Sequence, residues 1–354
     1  QTKPTRKFFK KTTKIQDPEE PVSRSAALNM PTAERWAQAE REELAALKKQ
    51  HTWEEVSTEE LKGRQPITCK WVYKIKRNVD HTIERFKARL TARGFQQIPG
   101  VDYVDTFAAV AQLKSFRLLL AIAVTLQLKV THIDFKNAFL MGNLKEQIFM
   151  THPPGYPGPS NTVLKLVKSI YGLKQSPAVW FSTLFAVLQR IGFIRSGADP
   201  CVLFHQTLLI YIVNFVDDAA IATSNEEGRN YVLKCLANHF EFRDLGDISR
   251  YLGLQVFYDT RGWCYVHQQS YVQSVIQKFK MTDCKAAPTP ATTDVLSKSQ
   301  SPVTTSDIKA MSEKPYKNLV GSLWYAAHGT RVDIVYATNS VAQHAQNPGN
   351  AHWT

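Results

Sequence analysis

The sequence predicts an α+β fold in which strands and helices are mixed. Segments with helical periodicity and segments with strand alternation follow one another without a regular strand–helix–strand order. A doubly wound parallel sheet needs that order, so a mixed arrangement with antiparallel pairing is expected instead. The chain has 354 residues, 44% of them hydrophobic, which is enough for a large core and two or three folding units.

The chain is strongly basic and carries no long apolar segment. Lys and Arg number 44 against 31 Asp and Glu, which gives a formal net charge of +13. A polyanion is therefore the expected partner, with nucleic acid favoured over an acidic membrane surface. The longest apolar runs, 118–124 and 208–213, are much shorter than the roughly 18 residues of a membrane span, so a soluble protein is expected.

The 5 cysteines lie far apart and form no CxxC pair. This spacing argues against a zinc knuckle or a disulfide framework and favours a reducing intracellular compartment.

The first elements are a basic tail, a helix and a hairpin. Residues 1–30, with six basic residues among the first 14, are predicted to form a flexible linker, and a solvated tail without a role is the alternative. Thr32 can cap an amphipathic helix that ends near Gln50. Residues 67–95 predict a hairpin that turns near 78–81. Its basic face suggests phosphate binding, against the alternative of a merely solvated strand.

Mixed elements fill the rest of the chain. A Pro- and Gly-rich loop spans 153–159, and a Pro-, Thr- and Ser-rich stretch, 285–306, is predicted to be a flexible connection. Helices are predicted at 115–127, 178–191, 232–240 and within 315–345, and strands at 128–135, 208–222, 250–258 and 263–266.

Three aspartates stand out as candidate metal ligands. Asp217 and Asp218 interrupt the apolar run LLIYIVNFVDDAAIA, where a hairpin turn is expected, and Asp tolerates the positive φ of such turns. A simple solvated turn is the alternative. Asp134 ends another predicted strand, in VTHIDFKNAFL. If the strands are neighbours, three carboxylates meet at one place, as two Mg²⁺ or Mn²⁺ ions would require.

Collinear motifs from about Pro31 to Trp353 resemble the reverse transcriptase of copia-type LTR retrotransposons. These runs follow one another in the family's order: WVYKIKRN at Trp71, RFKARLTARGFQQ at Arg85, IDFKNAFLMGNL at Ile133, PPGY at Pro153, LKLVKSIYGLKQSP at Leu164, FVDD at Phe215, FRDLGDISRYLGLQV at Phe242, LVGSLWYA at Leu319 and TRVDIVYAT at Thr330.

The resemblance implies a right-hand polymerase with fingers, a ferredoxin-like palm and a helical thumb. Fingers and palm would occupy 31–262, and the thumb with the start of a connection 263–354. Two Mg²⁺ ions, or Mn²⁺, would be held by Asp134 and Asp217 as bridging ligands, with Asp218 assisting. They would activate the primer 3′-OH and stabilise the leaving pyrophosphate during transfer from a dNTP.

The resemblance also implies contacts to substrates. Lys87 and Arg89 would grip the triphosphate, and Phe139 would exclude a ribose 2′-OH, unless it is only a core residue. The segment at Tyr171 would pack beside the incoming nucleotide. The expected template and primer contacts in that segment are Lys174, Gln175 and Pro177.

Four positions depart from the family pattern and bear on activity. They are Gln112 and Ala178, where the family has Arg, Asn143, where it has Asp, and Val332, where it has Pro. Two lost positive charges would weaken template binding, which keeps open a catalytically weakened nucleic-acid-binding remnant. Another two-metal palm enzyme, such as a nucleotidyl cyclase, is disfavoured by the motifs of residues 71–97.

The expected setting is that of a polyprotein fragment. The partners would be an RNA or DNA template with its primer, dNTPs and an RNase H segment of the same polyprotein, without a membrane. The expected location is intracellular, in cytoplasmic particles and in the nucleus.

Overall fold

A computed structural model describes residues 19–77, 82–156, 158–292 and 294–354 of the chain. The tip of the predicted hairpin at 78–81 and most of the predicted basic tail lie outside these ranges. The α-helices are α1 (Arg24–Leu28), α2 (Ala33–Lys49), α3 (Leu113–Thr125), α4 (Ser176–Arg190), α5 (Glu226–Ala237), α6 (Gln269–Lys278), α7 (Thr305–Ser312), α8 (Tyr316–Gly329), α9 (Val335–Ala342) and α10 (Asn350–Trp353).

In the residues that the structure describes, the strands form four antiparallel sheets, so the mixed α and β composition is as the sequence predicts. They are β1 (Trp53–Ser57), β2 (Cys69–Arg77), β3 (Ile83–Ala92), β4 (Lys129–Phe135), β5 (Asn143–Met150), β6 (Thr162–Lys168), β7 (Phe193–Arg195), β8 (Val202–His205), β9 (Ile210–Phe215), β10 (Asp218–Thr223), β11 (Phe242–Asp247), β12 (Arg250–Tyr251), β13 (Leu254–Tyr258) and β14 (Cys264–His267).

The chain divides into two compact units. The first contains the described residues up to Ala108 together with Asn137–Leu184. It holds the sheet β1-β6-β5 and the hairpin β2-β3. Helix α2 packs on the hairpin through the fully buried Trp36, whose ring meets Tyr73 and Phe86 edge-on at centroid distances of 5.2 and 4.5 Å. These rings are part of the apolar core of this unit.

The end of the predicted flexible linker is ordered and packed, contrary to the sequence-based expectation. Helix α1 lies within residues 1–30, and its Ala27 is completely buried. Arg24 Nε lies 3.0 Å from Glu40 Oε2, and the Tyr73 hydroxyl donates to Glu40 Oε1 at 2.5 Å. A helix of five residues is too short to give a periodic signal in the sequence. Its order depends on the Glu40 carboxylate, which is distant along the chain.

The second unit contains Ala109–Lys136 and Phe185–Thr354. Its main sheet has six strands in the order β11-β4-β10-β9-β8-β7. Strand β10 is buried from Ala219 to Thr223 and is rich in alanine, so α3 and α5 can pack closely against it. The smaller sheet β12-β13-β14 precedes the helices α6–α10, among which Met311, Tyr316 and Val320 form a separate apolar cluster.

Several element boundaries differ from the sequence-based prediction for local reasons. Helix α5 starts at Glu226, earlier than predicted, because the Asn225 side chain accepts from the Gly228 N–H at 2.8 Å and caps it. Thr32 stands at the start of α2 but its hydroxyl makes no capping bond. The predicted strand 250–258 is interrupted where Leu252 and Gly253 both take positive φ.

A buried carboxylate caps α3 from a distant part of the chain. Asp199, 6% exposed, accepts from the Ser115 hydroxyl at 2.6 Å, from the Gln112 N–H at 3.3 Å and from the Cys201 N–H at 3.0 Å. Gln112 occupies the N-cap position but provides no side-chain cap itself. Asp199 therefore supplies the acceptors that the helix start lacks locally.

We expect Asp199→Ala to lower the free energy of unfolding by about 2–3 kcal/mol, because three donors lose their acceptor in a buried site. Urea unfolding followed by circular dichroism measures the change. Asp199→Asn, which keeps one acceptor oxygen, is the matched control. Its free energy of unfolding is expected to lie between those of the wild-type protein and Asp199→Ala. A loss below about 0.5 kcal/mol for the alanine variant would contradict the capping role.

Candidate active site

The two adjacent aspartates lie at the junction of β9 and β10, which are joined by a two-residue turn. Phe215 pairs with Asp218, and the turn residues are Val216 and Asp217. The backbone φ of Val216 is +54°, whereas Asp217 does not take a positive φ. The sequence-based expectation that Asp accommodates the left-handed conformation is therefore wrong. A β-branched residue carries it, at a cost of roughly 1–2 kcal/mol.

Asp134 lies directly across from Asp218. Strand β10 pairs antiparallel with β4, and the register places Asp218 opposite Asp134. The backbone N–H of Phe135 donates to the carbonyl oxygen of Asp217 at 2.5 Å. The fold thus brings to one end of two neighbouring strands all three aspartates that the sequence singles out, although 83 residues separate Asp134 from Asp217.

A cation flanks this acidic pair on the other side. Strand β11 also pairs with β4, and Arg243 is the residue opposite Asp134. Since residues directly opposite each other in a sheet share a face, Arg243, Asp134 and Asp218 form one row across three strands. Arg243 is exposed, and both aspartates are half-buried, so the row opens to solvent.

His132 contacts the acidic group and was missed by the sequence analysis. Its Nε2 lies 3.1 Å from Asp218 Oδ1. The ring of Tyr251, which is 1% exposed, meets the His132 ring edge-on at 5.5 Å. The Tyr251 hydroxyl lies 3.0 Å from the backbone oxygen of Asp218, and burial, followed by the negative charge of Asp218, holds the pKa of this tyrosine well above its usual value.

A signal for His132 was present in the sequence. It precedes Asp134 by two residues in a predicted strand, and residues two apart point to the same face. No comparable signal identifies Tyr251, because its place beneath Asp218 depends on how a separate sheet packs.

The acidic group does not by itself form a closed metal cage. Within residues 19–354, apart from the undescribed gaps, no three His, Cys, Asp or Glu side chains are gathered as a metal-binding group. Carboxylate oxygens are nevertheless the ligand type that Mg²⁺ prefers, and Mg²⁺ is commonly bound by one or two carboxylates completed by water and substrate phosphates. The donor set therefore fits a divalent metal whose remaining coordination positions are filled by water or by nucleotide phosphates.

The predicted triphosphate-binding residues lie on β3 in the first unit. Lys87 and Arg89 are two residues apart on the strand, so they share one face. Burial lowers the pKa of Lys87, and repulsion from Arg89 and Arg85 lowers it further. Because an approaching phosphate would relieve this repulsion, the cluster is suited to binding an anion.

Three of the predicted nucleotide contacts are joined by aromatic interactions. The Arg89 guanidinium lies over the Tyr171 ring, 4.6 Å from its centroid. Phe139 meets the same ring edge-on at 4.9 Å. The Phe139 backbone oxygen also accepts a hydrogen bond from the Ser169 hydroxyl. These contacts fix the orientation of three half-buried side chains, two aromatic rings and one guanidinium.

A carboxylate behind this cluster was also missed by the sequence analysis. Glu43 Oε1 accepts from the Leu90 N–H at 3.3 Å. Burial raises the pKa of Glu43, while the positive charges of Lys87 and Arg89 act in the opposite direction.

The predicted template contacts are divided between exposed and buried positions. Lys174 is exposed, and its Nζ donates to the Tyr103 hydroxyl at 2.8 Å. Gln175 is only 1% exposed; its Oε1 accepts from Gln97 Nε2 at 2.9 Å, and its Nε2 donates to the Asp102 backbone oxygen at 2.8 Å. The Gln175 amide thus already binds protein groups, and its predicted contact with template stays a prediction. Pro177 is the second residue of α4, as a helix-opening proline requires.

Two glycines meet where β3 runs past the segment that contains Tyr171. Gly172 has a φ of +93°, and a β-carbon there would overlap the backbone oxygen of Ala92. A β-carbon on Gly94 would overlap the backbone oxygen of Gly172. The Ala92 N–H donates to the Tyr171 carbonyl at 2.8 Å, so the two backbones are in direct contact here. Any side chain at either glycine would separate them.

Comparison with known protein families decides the class of the chain. The family model described as reverse transcriptase (RNA-dependent DNA polymerase) matches residues 50–293. The chain belongs to this family. The copia-type resemblance predicted from the motifs is confirmed by relatives that are Pol polyproteins of such transposons.

Three relatives illustrate the range of similarity to this reverse transcriptase domain. The retrovirus-related Pol polyprotein from transposon TNT 1-94 of Nicotiana tabacum is 35% identical over 96% of the chain and 26% of its own length. The corresponding polyprotein from transposon RE2 of Arabidopsis thaliana is 33% identical over 90% of the chain and 22% of its own. The transposon Ty1-JR2 Gag-Pol polyprotein of Saccharomyces cerevisiae is 24% identical over 89% of the chain and 18% of its own length.

The reverse transcriptase domain spans about a quarter or less of the length of these polyproteins. Within the part of the chain that the structure describes, none of its helices combines the length and hydropathy of a bilayer-spanning segment.

Proposed function

We propose that this chain polymerises DNA on an RNA or DNA template by transferring nucleotides from dNTPs to a primer 3′-OH. One observation carries the proposal. Asp218 faces Asp134 in the register of β4 and β10, and Asp217 occupies the adjoining turn, tied to β4 by the bond between its carbonyl and the Phe135 N–H. Acidic side chains concentrated at strand ends are costly unless they have a ligand to hold.

The proposed roles of the three aspartates follow from their positions. Asp134 and Asp217 would be the main ligands of the divalent ions, Mg²⁺ or Mn²⁺, and Asp218 would assist them. When bound, these ions would lower the pKa of the primer hydroxyl and neutralise charge on the departing pyrophosphate. The chain itself contributes a fixed spacing of carboxylates, because paired strands hold the backbone of Asp134 and Asp218 in register.

Nucleotide recognition is proposed for the residues gathered around Tyr171. The Arg89 guanidinium can bind phosphate oxygens in pairs, and the Lys87 ammonium can add a point charge. The Phe139 ring would pack under the sugar and leave no room for a ribose 2′-OH. Its contact with Tyr171 supports this role, since a ring that excludes an atom must be held in place.

Template contact is proposed for Lys174 and for the surface near Pro177. The exposed ammonium of Lys174 donates to the Tyr103 hydroxyl and lies over its ring, and its remaining N–H donors would bind a template phosphate. Gln175 would act indirectly, because its buried amide positions the Lys174 segment against Gln97 and Asp102.

The finer architecture is proposed by family analogy. Residues 31–262 would form fingers and palm, with the hairpin β2-β3 in the fingers and the sheet containing β4, β9 and β10 in a ferredoxin-like palm. Residues 263–354, which contain the helices α6–α10, would form the thumb and the start of a connection.

Primer extension tests the proposed activity. The chain is incubated with a primed RNA template, dNTPs and Mg²⁺, and Asp217→Asn is compared with wild type. Asn keeps the side-chain volume and removes the ligand charge, so we expect extension to fall on the order of 10³-fold or more with the melting temperature unchanged. Asp283→Asn, at an exposed loop position, is the control and is expected to extend normally.

A second candidate function is a nucleic-acid-binding remnant with little turnover. It is favoured by the absence of arginine at Gln112 and Ala178 and by the departures at Asn143 and Val332. Gln112 and Asn143 are exposed and Val332 is 66% exposed, so these substitutions do not disturb a core. Binding of primed template without any extension by the wild-type chain would support the remnant and overturn the polymerase proposal.

The setting proposed for the whole protein is that of a Pol polyprotein. An RNase H segment of the same polyprotein would degrade the copied RNA, and the proposed location is intracellular, in cytoplasmic particles and in the nucleus. The relatives' names as Pol polyproteins support this setting.

A further inference from the structure

We propose that His132 is a positioning residue that holds the Asp218 carboxylate in one orientation and thereby sets how tightly the acidic group binds divalent metal. This inference rests on the proposed function, because it assumes that Asp218 is a metal ligand. It assigns a role to a side chain that does not itself contact substrate or the reacting atoms.

The strand geometry places the imidazole where it can act on Asp218. His132 and Asp134 are two residues apart on β4 and share a face. His132 is paired with Ala220 and Asp134 with Asp218, so His132 and Asp218 are diagonal neighbours. Ala220 has the smallest side chain that an L-residue can offer, which leaves space for the ring beside Asp218.

The direction of the hydrogen bond follows from the chemistry of its partners. An ionised carboxylate only accepts, so the proton between His132 Nε2 and Asp218 Oδ1, 3.1 Å apart, must belong to the imidazole. This holds for the neutral Nε2–H tautomer and for the charged ring alike. One oxygen of Asp218 is thus occupied by protein, and the other is left to face a cation.

The imidazole is itself braced. Its side chain is 13% exposed and meets the buried Tyr251 ring edge-on at 5.5 Å. Tyr251 in turn packs against Phe116, with ring centroids 4.5 Å apart, and its hydroxyl lies 2.8 Å from the Val213 backbone oxygen and 3.0 Å from that of Asp218. Tyr251 therefore supports both the histidine ring and the backbone of the aspartate that the histidine orients.

This arrangement has a predictable effect on metal binding. A ligand carboxylate that is free to rotate loses conformational entropy when a metal binds, and a hydrogen bond to its outer oxygen removes that cost in advance. Removal of such outer partners typically weakens metal affinity by about 10- to 100-fold. His132 is expected to contribute within this range.

Two variants separate the hydrogen bond from the packing. His132→Phe keeps a ring on Tyr251 and removes the donor, whereas His132→Gln keeps an N–H donor and removes the ring. His205→Phe is the matched control, because His205 is a half-buried histidine in the same sheet that packs edge-on against Phe193 at 5.2 Å.

The readout is the dissociation constant for Mn²⁺ alone, measured on the full chain without nucleic acid by the electron paramagnetic resonance signal of free Mn²⁺. We expect about 10- to 100-fold weaker binding for His132→Phe, near wild-type binding for His132→Gln, and no change for His205→Phe. In extension assays His132→Phe is expected to lower kcat and raise the Mn²⁺ concentration required, with KM for dNTP unchanged. Melting temperatures identify any variant that does not fold.

Wild-type Mn²⁺ affinity in a folded His132→Phe variant would overturn the proposal, as would equal losses for His132→Phe and His132→Gln. If His132→Phe does not fold, His132→Leu, which also removes the donor, takes its place, and the same two outcomes decide. Failure of the proposed function looks different. In that case the Asp217→Asn substitution does not change Mn²⁺ binding, because the wild-type chain has no Mn²⁺ site at these aspartates.

Discussion

An Asp134→Asn variant is expected to extend a primer on the order of 10⁴-fold more slowly than wild type, the largest effect that we predict for any single substitution. Asp134 stands in the middle of the row that runs from Arg243 across β4 to Asp218. Asn preserves the volume of the side chain and the register of the strand. It removes the negative charge that the two metals would share, so transition-state stabilisation is lost while the fold is kept.

The comparison with Asp218→Asn makes this prediction specific. Asp218 already accepts a hydrogen bond from His132, which leaves it less capacity to coordinate a metal than a carboxylate without that bond would have. Its replacement is therefore expected to cost less, on the order of 10²-fold. Single-turnover extension with saturating dNTP measures both rates. Equal losses for the two variants, or an active Asp134→Asn protein, would contradict the assignment of Asp134 as the shared ligand.

A Phe139→Ala variant is expected to accept ribonucleotides, with discrimination between dNTP and rNTP lowered by about 10- to 200-fold. The Phe139 ring is held edge-on against Tyr171, and the Phe139 carbonyl is held by Ser169. A ring fixed in this way can exclude a 2′-OH by steric overlap. Alanine removes the overlap without disturbing the backbone contact.

The measurement is the ratio of kcat/KM for a dNTP to that for the matching rNTP on one template. Phe139→Tyr, which keeps the ring, is the control and is expected to retain the wild-type ratio. If Phe139→Ala extends with dNTPs and leaves ribonucleotide exclusion unchanged, Phe139 is only a packing residue.

The parts of the fold that sequence could predict are those governed by local patterns. The alternation of apolar and charged residues from Trp71 to Leu90 gives the hairpin β2-β3, and the apolar periodicity after Gln112 gives α3. The interrupted apolar run at Asp217 gives the turn between β9 and β10. Each of these signals lies within about 20 residues, so no knowledge of the tertiary fold is needed.

The parts that sequence could not predict depend on distant partners. The order of α1 depends on Glu40 and Tyr73, and the capping of α3 depends on Asp199. The burial of Gln175 depends on Gln97 and Asp102. Motif resemblance suggested that Gln175 contacts template, because it identifies a segment and not the direction in which each side chain points.

The candidate site shows the same division. Strand and turn signals, together with the family motifs, were enough to select Asp134, Asp217 and Asp218. The positive φ at Val216 and the place of Tyr251 beneath Asp218 could not be read from any periodicity. Both follow from packing between strands that are far apart in the chain.

The contact between Gly94 and Gly172 has a consequence for how lineages of such elements decay. Hydrogen is the only substituent that either position can carry without forcing the adjacent backbones apart. A genomic copy that has mutated either codon is therefore expected to be distorted beside the proposed nucleotide contacts even when its three aspartates are intact. Inspection of two glycine codons would then identify such damaged copies before any protein is made.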